Sequence, residues 1–143
     1  MKLGTIYLDG KIVPIVQGIE GKAHNLLDVC KKFEILQINS ILDLINLSKN
    51  NPNLLNNITN AIEELAGFDP IDWAPPIVNP SKILGVAFNN KELMKKAHKD
   101  PGVPNYFLKP PSALQAHEKP IIVDPDWGAV IPEPEICGYR KES

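Results

Sequence analysis

The sequence predicts an α+β chain, and three observations carry that prediction. An Asp-Gly pair sits between two β-prone runs near the start, three stretches with helical apolar spacing follow, and the second half is rich in proline. Hairpin and helices together make a small mixed unit, while proline suits short extended pieces and turns.

The hairpin comes first. Residues 3–8 and 12–16 alternate around Asp9-Gly10, and Asp-Gly favours a tight two-residue turn because both central positions need positive φ. Pro14 lacks an amide hydrogen, which places the second run at a sheet edge. A glycine-containing turn over 17–22 follows, and Leu26-Leu27-Asp28-Val29 opens a short helix. Ser40 is placed to cap a second helix, with Ile41, Leu44, Ile45 and Leu47 near one face. A third helix is expected over about 53–65, where Leu54, Leu55, Ile58, Ile62 and Leu65 recur at helical spacing and Gly67 supplies a stop. The asparagines of 39–60 form the polar side of these helices, since the apolar period runs through them.

Most of the 14 prolines fall after residue 69, and this shift in composition marks a boundary. Residues 1–71 are expected to form a small domain that leans on something else for stability. Residues 72–80, with Pro75-Pro76 and Trp73, read as a stiff linker. Residues 81–143 make a β-rich segment. Its run 82–88 is a buried strand by its apolar content, Asn89-Asn90 can cap a helix over 91–97, and 106–109 and 120–123 are further short strands. Trp73 and Trp127 read as anchors against a core.

The formal charge of −2 gives no electrostatic reason to expect nucleic acid or an anionic membrane as partner. Cys30 and Cys137 lie far apart with no CxxC spacing, so two buried or half-buried free thiols in the cytoplasm are expected. The start Met1-Lys2-Leu3-Gly4-Thr5 has no signal-peptide character.

Three motifs in order give the chain a recognisable outline. The segment Pro80-Ser81-Lys82-Ile83-Leu84-Gly85-Val86 is similar to the strand that opens the catalytic domain of the fumarylacetoacetate hydrolase family. Phe107-Leu108-Lys109-Pro110-Pro111-Ser112-Ala113-Leu114 resembles that family's phenylalanine-leucine-lysine-proline signature, and Glu133-Pro134-Glu135 its glutamate-x-glutamate metal motif. The hairpin and Leu-rich helices resemble the small N-terminal domain that many members carry. The resemblance implies a divalent cation (Mg²⁺, Mn²⁺ or Ca²⁺) held by Glu133 and Glu135, with an oxo or diketo acid as substrate. It also places Lys109 on the substrate side of the cleft.

The residues themselves are compatible with that chemistry. On an extended backbone, side chains two apart share a face, so both carboxylates can meet one hard cation. A solvated Pro-Glu-Pro-Glu connector is the plain alternative, and Lys109 also fits an ordinary surface lysine before a Pro-Pro turn. Where the family has its acid–base histidine this chain has Lys91; His98 lies later on the same expected helix, and the catalytic acid–base residue stays open. His24 and His117 read as surface loop residues. The family's remaining carboxylate ligand would lie beyond Ser143. The resemblance therefore implies an incomplete catalytic domain, completed by a missing C-terminal part or by a second chain, and prone to homo-oligomerise. A non-catalytic binding or assembly subunit is the competing reading.

Overall fold

A computed structural model describes residues 1–34, 38–70, 72–98, 100–130 and 137–138. The mixed α+β class holds: antiparallel sheets and short helices alternate along the chain.

Strands β1 (Lys2–Leu8) and β2 (Lys11–Gln17) pair antiparallel, from Lys2 opposite Gln17 to Leu8 opposite Lys11. Asp9 and Gly10 both take positive φ, 50° and 72°, the backbone of a primed turn whose twist matches the flanking strands. The turn over 17–22 closes with Gly18 N–H donating to Lys22 O at 2.8 Å, and it leads into β3 (Ala23–Asn25). β3 pairs with β2 over Ile15–Gln17 alone. Pro14 was expected on an edge strand; β2 instead lies inside the sheet, but its proline sits just before the stretch where the third strand joins. The missing donor is tolerated there.

Three helices follow. In α1 (Leu26–Lys32), the Asn25 side chain accepts from Leu27 N–H at 2.9 Å. In α2 (Ile41–Asn50), Ser40 Oγ accepts from Asp43 N–H at 3.2 Å while the Asp43 carboxylate accepts from Asn39 N–H at 2.9 Å. That reciprocal arrangement satisfies two amide donors at the helix start. The third, α3 (Leu54–Ile62), is shorter than the sequence period implies. Gly67 does not end it. An ideal Cβ there would lie 2.6 Å from Lys22 Cβ, so this glycine permits a close crossing, beside the bridge between Ala23 and Phe68.

The sheet is covered on both faces, as the two-residue period of β2 requires. Val16 faces a core of Leu26, Val29, Cys30, Leu44, Leu54 and Ile58 contributed by the helices. Its neighbour Ile15 joins Ile6, Val13 and Ala23 in a second cluster, packed by Phe68 and Trp73. The stretch expected to be a linker thus supplies a strand, β4 (Trp73–Ala74), which pairs with β1 at Ile6 and Thr5. Tyr7 N–H donates to Asp72 O at 2.8 Å, and Thr5 Oγ1 donates to Pro76 O at 2.9 Å. The sheet order is therefore β3-β2-β1-β4.

The second half contains a two-stranded antiparallel ribbon, β5 (Ile83–Ala87) and β6 (Asn105–Lys109), with α4 (Lys91–Ala97) between them in sequence. The expected buried strand is only partly covered: Leu84 is 59% exposed. Residues 121–123 form no strand, and Ile121 and Ile122 are largely in solvent. β-Branched residues favour strands through the neighbours they pack on, and among the described residues no strand pairs with this segment. Trp127 is exposed as well, contrary to the anchor role expected of it, whereas Trp73 meets that expectation. Among the described residues, no helix is long and apolar enough to cross a membrane.

Candidate functional site

The sequence points to three site residues, and the structure describes one of them. Glu133 and Glu135 lie outside the described residues. Lys109 ends β6, opposite Ile83 in register. Its Nζ lies 5.6 Å from the centroid of the Phe107 ring, within range of a cation–π contact of about 0.5–1 kcal/mol at an exposed site. Residues 107 and 109 share a face of the strand, which brings the ammonium over the ring.

Phe107 in turn covers Gly85 across the ribbon, where a Cβ would lie within 2.6 Å of the ring's Cε atoms. Glycine and ammonium thus both adjoin the phenyl ring. A glycine is required at position 85 because any larger residue would displace the ring. Lys109 is in this way a cation positioned on a β-ribbon, able to attract a carboxylate without a partner acid of its own strand.

At the end of β5 the chain turns through Phe88 with φ 54°. A left-handed conformation for a non-glycine residue costs on the order of 1–2 kcal/mol. A shallow cleft of about 220 Å³ opens beside it, lined by Phe88, Asn89, Met94, Asp100, Val103 and Pro104 among others. Asn90 caps the following helix through its side-chain oxygen, accepting from Glu92 N–H at 2.9 Å. Asp100 is occupied in its own turn, accepting from Gly102 N–H at 2.9 Å. His98 and Lys91 are both exposed on this helix segment.

A larger cleft of about 290 Å³ lies elsewhere, at the junction of α2 and α3, lined by Asn50, Asn51, Asn53 and Asn57 with Leu47 and Leu54. Its walls are asparagine amides with leucine and proline side chains. Among the described residues, no group of three or more His, Cys, Asp or Glu is placed to hold a metal ion.

Two histidines depart from, or add to, the sequence reading. His24, expected in a surface loop, is 5% exposed in β3, and its Nδ1 has no hydrogen-bond partner among the described residues. Its ring is enclosed by backbone: an ideal Cβ on Gly18 would lie 2.8 Å from its Cδ2, and one on Gly67 3.1 Å from its Nε2. Two glycines separated by almost fifty residues make this slot, and nothing local signals it. His117 is exposed as expected, but it meets Trp73 edge-on, with ring centroids 5.8 Å apart. Beside it Lys119 Nζ lies 2.8 Å from Asp72 Oδ1, and this hydrogen bond, with the carboxylate's charge, holds the ammonium above its ordinary pKa.

The thiols differ from each other. Cys30 is buried in the helical core, where desolvation pushes its pKa up to about 11. Cys137, expected to be at least half-buried, is exposed. Set against models of protein families, curated proteins and solved structures, the chain matches none of them.

Proposed function

We propose that this chain is the N-terminal domain and opening part of the catalytic domain of a fumarylacetoacetate-hydrolase-like enzyme. It acts on oxo or diketo acids, as a hydrolase, isomerase or dehydratase, once further strands complete its β-rich unit. The observation that carries this reading is the pairing of Ile83–Ala87 with Asn105–Lys109. These are the segments whose sequences resemble the family's first catalytic strand and its phenylalanine-leucine-lysine-proline signature, and Leu84 of β5 and all of β6 are exposed.

In this reading Glu133 and Glu135 bind Mg²⁺, Mn²⁺ or Ca²⁺, and the ion polarises the substrate's oxo group. Lys109, held over Phe107, attracts the substrate's carboxylate. The completing strands come from a further segment or a second chain, the assembly is a homo-oligomer or such a pair, and the compartment is the cytoplasm. On its own the chain turns over no acylpyruvate.

Isothermal titration with Mg²⁺ and Mn²⁺ tests the metal half. Weak binding is expected for the wild type and none for Glu133→Gln or Glu135→Gln; affinity unchanged by both substitutions removes the enzymatic reading. The second reading, a non-catalytic assembly subunit, is favoured by a different observation. Every residue of β6 is exposed, and β5 is the one strand paired with it among the described residues.

A further inference from the structure

We infer that residues 115–120 are a clasp: a self-closed loop that seats reversibly on the N-terminal sheet and is locked there by one half-exposed ion pair. The inference stands whether or not the chain is enzymatic.

The loop is organised by its own bonds. Gln115 Nε2 donates to Pro120 O at 2.9 Å, joining the two ends, and Gln115 Oε1 accepts from Ala116 N–H at 2.9 Å. Lys119 N–H donates to Ala116 O at 3.2 Å, with Glu118 at φ 62° inside that turn. One side chain thus spans the loop from end to end, and none of these bonds uses the sheet. Compact surface loops whose ends meet in this way are frequently functional.

The seat is two consecutive residues at β4, the strand that stands last in the sheet order, beyond β1. Lys119 Nζ lies 2.8 Å from Asp72 Oδ1, and the His117 ring meets Trp73 at 78°. The seat itself belongs to the sheet, since the Asp72 carbonyl accepts from Tyr7 N–H and Trp73 pairs with Ile6.

The hold is light. The Lys119 and Asp72 side chains are 44% and 46% exposed, and Gln115, His117, Glu118 and Pro120 are exposed residues. Segments with few buried contacts open at the low end of a protein's stability range, and an exposed ion pair weakens as salt screens it. A preformed loop on a fixed seat opens and closes as a unit, because neither side has to refold. Closed, the clasp ties the proline-rich second half to the N-terminal sheet; open, it leaves residues 115–120 to move with the segment that follows β6.

The test uses the full chain with Trp127→Phe, a change at an exposed position that leaves Trp73 as the sole tryptophan. Raising sodium chloride from low to about molar levels should shift Trp73 emission to the red, and proteolysis within 115–120 should become about threefold faster. Lys119→Asp should produce both changes at low salt, since two carboxylates then face each other. Lys119→Asp combined with Asp72→Lys rebuilds the pair with its signs exchanged and should reclose the clasp, a rescue that loss of packing alone would not show. Hydrogen exchange in β1 and β2 should stay as in the parent chain, which separates opening from unfolding. Emission and proteolysis that do not respond to salt overturn the proposal. So does a double variant as open as Lys119→Asp alone, or exchange in β1 and β2 that accelerates together with cleavage at 115–120.

Discussion

The ring of Phe107 lies against the backbone of Gly85 across the β5–β6 ribbon, so close that no side chain fits between them. Such a cross-strand aromatic cap makes up for the packing that a glycine in a strand cannot provide. The same ring lies 5.6 Å from Lys109 Nζ.

Gly85→Ala is accordingly expected to weaken the ribbon. The added methyl would lie within 2.6 Å of the ring, and overpacking of this kind costs roughly 1–3 kcal/mol unless the ring swings away. Hydrogen exchange at Ile83–Ala87 and Asn105–Lys109 should accelerate. Adding Phe107→Ala should recover most of that loss, since the clash then disappears; equal exchange in the single and double variants would show that the two residues are uncoupled.

The helical core should respond more strongly. Ile58 is fully buried on α3 among Val16, Leu26 and Leu44. Ile58→Ala removes three carbons and leaves a void, an expected loss of about 2–5 kcal/mol. In so small a domain that is a large share of the total, and urea denaturation should show much of the N-terminal unit unfolded at low denaturant. Leu55→Ala, on the exposed side of the same helix, should shift the midpoint little.

These features were readable because they are local. Asp9-Gly10 specifies a primed turn, Ser40 a cap, and Ile58 a helical face, each through contacts within a few residues. The missed features are non-local. A two-residue strand at Trp73–Ala74 has no period to detect, and it exists because β1 offers an edge. His24 is buried by Gly18 and Gly67, which only the fold brings together. Ile121, Ile122 and Val123 have strand composition, but a strand needs a neighbour, and composition does not state whether one is present. The candidate metal motif is the opposite case: legible as Glu133-Pro134-Glu135, it falls outside the described residues.

Cys30 gives the chain a defined alkaline sensitivity. Its thiol ionises near 9.0 when exposed and near 11 in the fold. Below pH 9 it is protonated in both states and its contribution to stability is fully present. Between 9.0 and about 11 the unfolded chain gives up the proton first, so stability falls as pH rises, by roughly 2–3 kcal/mol in all. The difference between wild type and Cys30→Ala should therefore shrink over that interval in urea titrations. At neutral pH a thiol-reactive dye should label exposed Cys137 at once and Cys30 only after unfolding.

The proline-rich stretch should prove to be a structural member and not a tether. Trp73 pairs with Ile6, packs on the second core cluster and lies 3.1 Å from where a Cβ on Gly4 would be. Large aromatics lose about 3–5 kcal/mol on truncation when fully buried, and Trp73, half-buried, should lose a smaller but clear amount as Trp73→Ala. Because its ring also meets His117, the same change should loosen residues 117–119, detected as faster proteolysis there. Lys119→Ala removes the ion pair to Asp72 and should loosen that segment alone, leaving the sheet's hydrogen exchange unchanged. The ammonium's pKa is raised in the fold, so the pair contributes fully below the lysine's unfolded value and is lost as pH climbs through the raised one. If Trp73→Ala leaves both the sheet and residues 117–119 as protected as before, the stretch is a passive connector after all.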